Sequence, residues 1–230
     1  MSARTITAVI LLLGVQATAQ AACMDADFTA PATRAATVRP DAPRLYFVAD
    51  ADMAAGCLTQ AVKCSSKAYV VPGNDVLVTG DPVSGHVCTA FSSPQGAVTI
   101  GWLPEAELAS AAATSDDWTG NWHRTEADLA IHPASGGTLH VQGDATWGMT
   151  DPERVKRGGV NVGTIDATIA PRDGTLAFTV GTDATLPYAK GEEDDCRVTL
   201  TRRGPYLLAR DNTNCGGHNV TFTGLYRRQG

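Results

Sequence analysis

None of the apolar runs in this 230-residue chain approaches the roughly 20 residues that a bilayer-spanning helix requires. Positive charge is scarce as well, with a formal net charge of −6. Residues 23–115 carry 5 basic and 9 acidic side chains, and residues 116–230 carry 12 and 15, so both halves are mildly acidic. Without a basic face interleaved with aromatics, nucleic acid is excluded as a partner, because phosphate contacts demand clustered Lys and Arg. Sustained helical periodicity is nearly absent. The five histidines (His86, His123, His132, His140, His218) form no His-x-x-x-His pair and the six cysteines no Cys-x-x-Cys pair. Neither a zinc site nor any cofactor is therefore expected. His123, His132 and His140 lie on neighbouring strand candidates and read as solvated or edge positions. The acidic run Glu192–Asp195 lacks the spaced oxygen ligands of a calcium loop and reads as a solvated hairpin tip.

What is present starts at the N-terminus. Arg4 precedes the apolar stretch Ile6 to Val15, and the small residues Ala17-Thr18-Ala19-Gln20-Ala21-Ala22 follow. A positive start, a short apolar core and Ala-x-Ala make residues 1–22 a secretory signal peptide, cut after Ala19 or Ala21. The expected location is periplasmic or secreted, with no transmembrane segment. Gln20-Ala21-Ala22-Cys23 loosely matches a lipobox, but Gln20 stands where an apolar residue belongs. A disulfide through Cys23 is therefore preferred to acylation. All six cysteines lie beyond the signal segment, where an oxidising compartment favours pairing them. Local pairs within one module give Cys57–Cys64 and Cys196–Cys215, leaving Cys23–Cys88.

The 23 glycines and the many short Thr- and Val-rich runs between turn signals predict an all-β chain. Residues 23–43, rich in Ala, Thr and Pro, read as an extended leader. Five strand candidates follow within 44–108: Arg44–Val48, Ala68–Val71, Asp75–Thr79, His86–Phe91 and Val98–Leu103, separated by Pro72-Gly73-Asn74, Gly80-Asp81-Pro82 and Ser93-Pro94-Gln95-Gly96. Residues 109–115 read as a linker with no apolar side chain larger than Ala, so the two halves are expected to fold independently. In 116–230 apolar residues alternate over about eight strands: Trp118–Arg124, Leu129/Ile131, Leu139/Val141, Val160–Ile169, Leu176–Val180, Val198/Leu200, Tyr206–Ala209 and Val220–Leu225. A bulge or change of face is expected between Val162 and Ile165. Chain-ordered strands joined by tight turns predict an up-and-down antiparallel barrel.

Val71-Pro72-Gly73-Asn74-Asp75-Val76 and the closing Gly101-Trp102-Leu103-Pro104 resemble a bacterial SH3-like domain. The resemblance implies a small barrel with Trp102 in its core and recognition of peptidoglycan peptides or of an envelope protein. Cell-wall peptidases join such a domain to a Cys-His hydrolase that carries Asp-Cys-Ser-Gly at a helix start. Here Asp195-Cys196-Arg197-Val198 begins a strand, and Cys196 has a partner in Cys215, so no catalytic residue is assigned. Gly120-Asn121-Trp122 at the first strand of the second module, with Tyr226-Arg227-Arg228 closing the last, resembles the lipocalin and calycin pattern. That resemblance implies a structural role for Gly120 and Trp122, with the tryptophan covered by Arg227.

One helical turn interrupts the second module. Asp151-Pro152-Glu153 is a helix start and Gly158-Gly159 a stop. Arg154, Lys156 and Arg157 form the densest basic cluster of an acidic chain, beside Trp147. Such a lip could meet an anionic or saccharide ligand. The expected function is exported, non-catalytic binding at the bacterial envelope. The alternatives are a lysozyme-type hydrolase inhibitor, with 151–159 as its inserting loop, and a barrel that holds a small ligand.

Overall fold

A computed structural model describes residues 22–29, 31, 33–56, 66–111, 117–182 and 184–229. The signal segment apart from Ala22, the expected pair Cys57–Cys64 and most of the linker lie outside these residues. The chain is all-β, as its composition predicts, and no described helix is long and apolar enough to cross a membrane.

Residues 34–110 supply seven strands: β1 (Arg34–Val38), β2 (Leu45–Tyr46), β3 (Tyr69–Val70), β4 (Asp75–Val83), β5 (His86–Ser92), β6 (Val98–Pro104) and β7 (Leu108–Ser110). Five make one antiparallel sheet in the order β6-β5-β4-β1-β7, and β2 pairs with β3 beside it. The supposed leader is thus part of the sheet. β1 lies between β4 and β7, with Ala36 and Val38 buried. Its inward residues alternate, but Ala and Thr lack the apolar bulk by which a strand declares itself. A 3₁₀ turn at Asp25–Thr29 precedes it, and the disulfide Cys23–Cys88 ties that turn to β5. Closing a 65-residue separation stabilises by about 4 kcal/mol in the chain-entropy account. Trp102 is buried as expected, and its indole N–H donates to Asp50 at 2.6 Å from the short helix α1 (Asp50–Ala54).

The second module has nine strands. They are β8 (Gly120–Arg124), β9 (Ala127–Pro133), β10 (Leu139–Trp147), β11 (Asn161–Ile169), β12 (Thr175–Val180), β13 (Thr185–Pro187), β14 (Cys196–Arg203), β15 (Tyr206–Asp211) and β16 (Gly224–Arg228). Their order is β11-β10-β9-β8-β16-β15-β14-β12-β13, so the first strand of the module pairs with the last and the barrel is nearly closed. The gap lies between β11 and β13, where Thr168 N–H donates to Thr185 Oγ1. The ninth strand, β13, is too short to show as a pattern. β11 pairs with β10 without a bulge. Instead Val162 faces solvent while Gly163, Ile165 and Ala167 face inward, so the change of face is the correct alternative.

Segment 220–223 alternates like a strand but joins no ladder. Phe222 N–H donates to Asp211 at 2.9 Å, and Thr221 and Thr223 hydroxyls donate to the same carboxylate at 2.6 and 2.7 Å. A side chain therefore satisfies what a neighbouring strand would have satisfied. Val220, Phe222 and Cys215 drop into the barrel and fill that end, where Cys196–Cys215 fastens the loop to β14. Cys215 lies in this loop, not on a strand.

The opposite end closes on Trp122, which is fully buried. The residue covering it is Arg228, not Arg227: strand partners in register, they place the guanidinium 4.9 Å from the ring centroid. Arg202 covers it as well, at 4.7 Å. Period-two alternation sends Arg227 outward, where it donates to Ser92 O at 2.7 Å and lies 5.9 Å from the Phe91 ring, both in the first module. Gly120 holds φ +127°, and a Cβ there would come within 3.3 Å of Arg228 Nε, so the glycine leaves room for the covering arginine.

The modules share a core. Tyr206, Leu208 and Leu225 of the second pack in one buried cluster with Phe28, Val48, Leu77, Cys88 and Trp102 of the first. Tyr206 also donates its hydroxyl to Asp75 O, and burial pushes that phenol far above its usual pKa. Arg203 donates to Thr33 O at 2.8 Å. The expected independence of the halves thus meets an apolar interface that the linker composition could not reveal.

Candidate functional site

The basic lip lies on the hairpin connection between β10 and β11. Its helix α2 (Pro152–Lys156) starts as predicted: the Asp151 carboxylate accepts from Glu153 N at 2.9 Å and Arg154 N at 3.3 Å, with Pro152 in the first turn. The structure brings Trp147 and Arg154 together, but onto each other. The guanidinium sits 3.8 Å above the ring and 3.6 Å from Asp151, so this cation is engaged within the loop. Lys156 and Arg157 are exposed and form no ion pair among the described residues.

A concavity of about 570 Å³ lies on the outer face of β8–β11. Strand alternation builds it. Leu129, Val141, Ile165 and Ala167 go inward, leaving Asp128, Gln142, Asp144, Thr164 and Asp166 outside. Gly143 accounts for the concavity: a Cβ there would meet Leu129, Ile165 and Phe222 side chains at 2.6–2.9 Å. The sheet therefore sinks toward Phe222 further than any side chain would permit, and its outer face is dented. Asn121 and Gln229 complete the rim with amides.

The charges in this dent are unequal. His123 Nδ1 lies 2.7 Å from Asp128, and His140 Nε2 lies 3.0 Å from Asp166. The hydrogen bond from His140, then that from Gln142, holds the Asp166 carboxyl below its usual pKa. Asp144 has no hydrogen-bonded or ionic partner among the described residues, yet it stands directly opposite Asp128 on β9 and Thr164 on β11. Like charges directly opposite on adjacent strands destabilise a sheet. An incoming ammonium group or sugar hydroxyls would relieve that opposition. No group of three His, Cys, Asp or Glu side chains among the described residues is placed to hold a metal ion. Sequence reading noticed the histidines and missed the carboxylates; the signal was Gly143 flanked by Gln142 and Asp144 on a strand that otherwise alternates.

Cys196, the one cysteine considered for catalysis, is bonded to Cys215 and presents no thiolate. Comparison with known proteins finds no matching family model, curated protein or solved structure.

Proposed function

We propose that this chain is an exported, non-catalytic binding protein of the bacterial envelope that holds an amine-bearing peptide of peptidoglycan in the dent on β8–β11. The observation that carries the reading is the unpaired Asp144 beside its register partner Asp128 in a cavity of about 570 Å³ rimmed by amides. A cavity of that volume accommodates a small ligand or a peptide segment, and the carboxylates supply acceptors for its ammonium group. Two disulfides suit an oxidising compartment outside the cytoplasm, and the signal-like N-terminus agrees with export.

Sedimentation with insoluble peptidoglycan tests the proposal. The wild-type chain should co-sediment and release with salt, and Asp144→Asn should weaken binding about tenfold or more, the loss expected for a charge-assisted contact. Equal retention of the variant, or no retention of the wild type, would remove the reading.

A second reading, inhibition of a lysozyme-type hydrolase, is favoured by one observation. The loop 151–159 is exposed but internally fastened by Asp151 and by the Arg154–Trp147 stack, which suits a segment inserting into a cleft. Added protein should then slow cell-wall lysis by such an enzyme, and Lys156→Ser with Arg157→Ser should abolish the effect. The same double substitution should leave peptidoglycan retention in the β8–β11 dent unchanged.

A further inference from the structure

Where the modules meet, two adjoining cavities of about 360 and 80 Å³ share Asp25, Thr223, Gly224 and Leu225 as common walls. The first module contributes Asp25, on the 3₁₀ turn before β1. The second contributes Arg124, at the turn from β8 to β9, and Arg210, near the end of β15.

These three charges are uncompensated. Arg124 donates to two backbone carbonyls, Thr125 O at 2.6 Å and Thr221 O, and its guanidinium lies 5.5 Å from the Tyr226 ring. No carboxylate lies within ion-pair distance of it among the described residues, and its buried Nε has no hydrogen-bond partner. Asp211, next to Arg210, is occupied by Thr221, Phe222 and Thr223, and Glu126, next to Thr125, accepts from Thr150. Arg210 is exposed and forms no ion pair or hydrogen bond among the described residues; Asp25, also exposed, likewise has none through its side chain. The wall behind Arg124 is rigid: Gly224 has φ +149°, and a Cβ there would approach Arg124 Cδ to 2.8 Å. A fixed guanidinium with carbonyl partners but no counter-ion is prepared for an oxyanion, and a fixed geometry spares the ligand the cost of ordering it.

We infer that the junction cleft binds a small zwitterion, an amino acid or short peptide whose carboxylate meets Arg124 and Arg210 and whose ammonium meets Asp25. A plain anion would face Asp25 and a plain cation the two arginines; only a ligand with both charges satisfies both walls. Because the walls come from different modules, the bound ligand bridges them and strengthens their docking. The inference is independent of the β8–β11 dent, which shares no residue with this cleft.

The test is a titration of the full mature chain, its disulfides intact, with the dipeptide Ala-Ala, followed by amide chemical shifts. Shifts should appear at Thr125, Thr223 and Gly224, and the melting temperature should rise with dipeptide concentration. N-acetyl-Ala-Ala and Ala-Ala-amide, each missing one charge, should bind at least about tenfold more weakly. Arg210→Ser and Asp25→Asn should each weaken Ala-Ala similarly while leaving the ligand-free melt unchanged, since both side chains are exposed and unpartnered. No response at these amides to tens of millimolar dipeptide, equal binding of the two blocked peptides, or tighter binding by Asp25→Asn would overturn the inference. Asp144→Asn should leave the titration unchanged, so failure of the peptidoglycan reading and failure of this one are told apart.

Discussion

The two modules differ in how they obtain a core. The second fills its barrel with its own residues, from Trp122 at one end to Phe222 and Cys215 at the other. The first has two smaller clusters, and one of them is completed by Tyr206, Leu208 and Leu225 from the second module. A five-stranded sheet of this size has too little interior to bury an aromatic-rich cluster alone. It borrows a wall, and the dependence therefore runs in one direction.

The largest effect expected from this asymmetry concerns the isolated halves. Residues 117–230 alone should melt cooperatively, whereas residues 22–111 alone should not. Losing three large buried side chains, each worth about 1.5–3 kcal/mol, removes most of a small domain's margin. Circular dichroism and calorimetry of the two pieces decide the matter, and two cooperative melts of equal quality would break the comparison.

Single substitutions sharpen it. Trp122→Ala should cost about 3–5 kcal/mol and bring both modules down together. Trp102→Ala, with a similar local cost, should loosen the first module and leave near-native amide shifts in β9–β14. Hydrogen exchange resolved by residue reads both outcomes, and simultaneous loss of protection in Trp102→Ala would contradict the one-way dependence.

The smallest effect is electrostatic and confined to the Trp122 end. Thr119, through its hydroxyl and then its backbone N–H, and after them Arg228, hold the Asp117 carboxyl at about 2. Burial, then the neighbouring Arg228 charge, pulls the Arg202 guanidinium below its usual value. A carboxyl depressed in the folded state stabilises above its unfolded pKa of about 4 and loses that contribution as pH falls through about 2. Asp117→Asn should therefore lower stability slightly at neutral pH, match the wild type near pH 2 and so flatten the acid limb of the melting curve between about pH 4 and 2. A variant with an unaltered acid limb would show that Asp117 contributes nothing to closing this end.

Much of the architecture is legible in the sequence. Alternation placed β4–β6, β9–β12 and β14–β15, the Asp151-Pro152-Glu153 cap placed α2, local pairing gave Cys196–Cys215, and Cys23–Cys88 followed as the remaining pair. β1 was missed because Ala and Thr carry little hydrophobic signal. Segment 220–223 was misread because its alternation serves a plug whose backbone is satisfied by Asp211. The lip residues Trp147 and Arg154 were correctly brought together, but their mutual stacking could not be told from a shared ligand. The carboxylates of the β8–β11 dent are adjacent only through register, and the cleft charges Asp25, Arg124 and Arg210 come from three distant segments.

The sequence by itself determined that this protein is all-β, where most strands run, where the capped turn α2 falls, and that Trp102 and Trp122 are interior. Those outcomes follow from local periods and caps, which act over a few residues. Only the tertiary structure decided that Arg228 and not Arg227 covers Trp122, that the supposed leader is a sheet strand, and that the modules share a core. It also placed a charged cleft between them. Each of these depends on pairing partners far apart in the chain, and strand register and interface packing are set by the whole assembled surface.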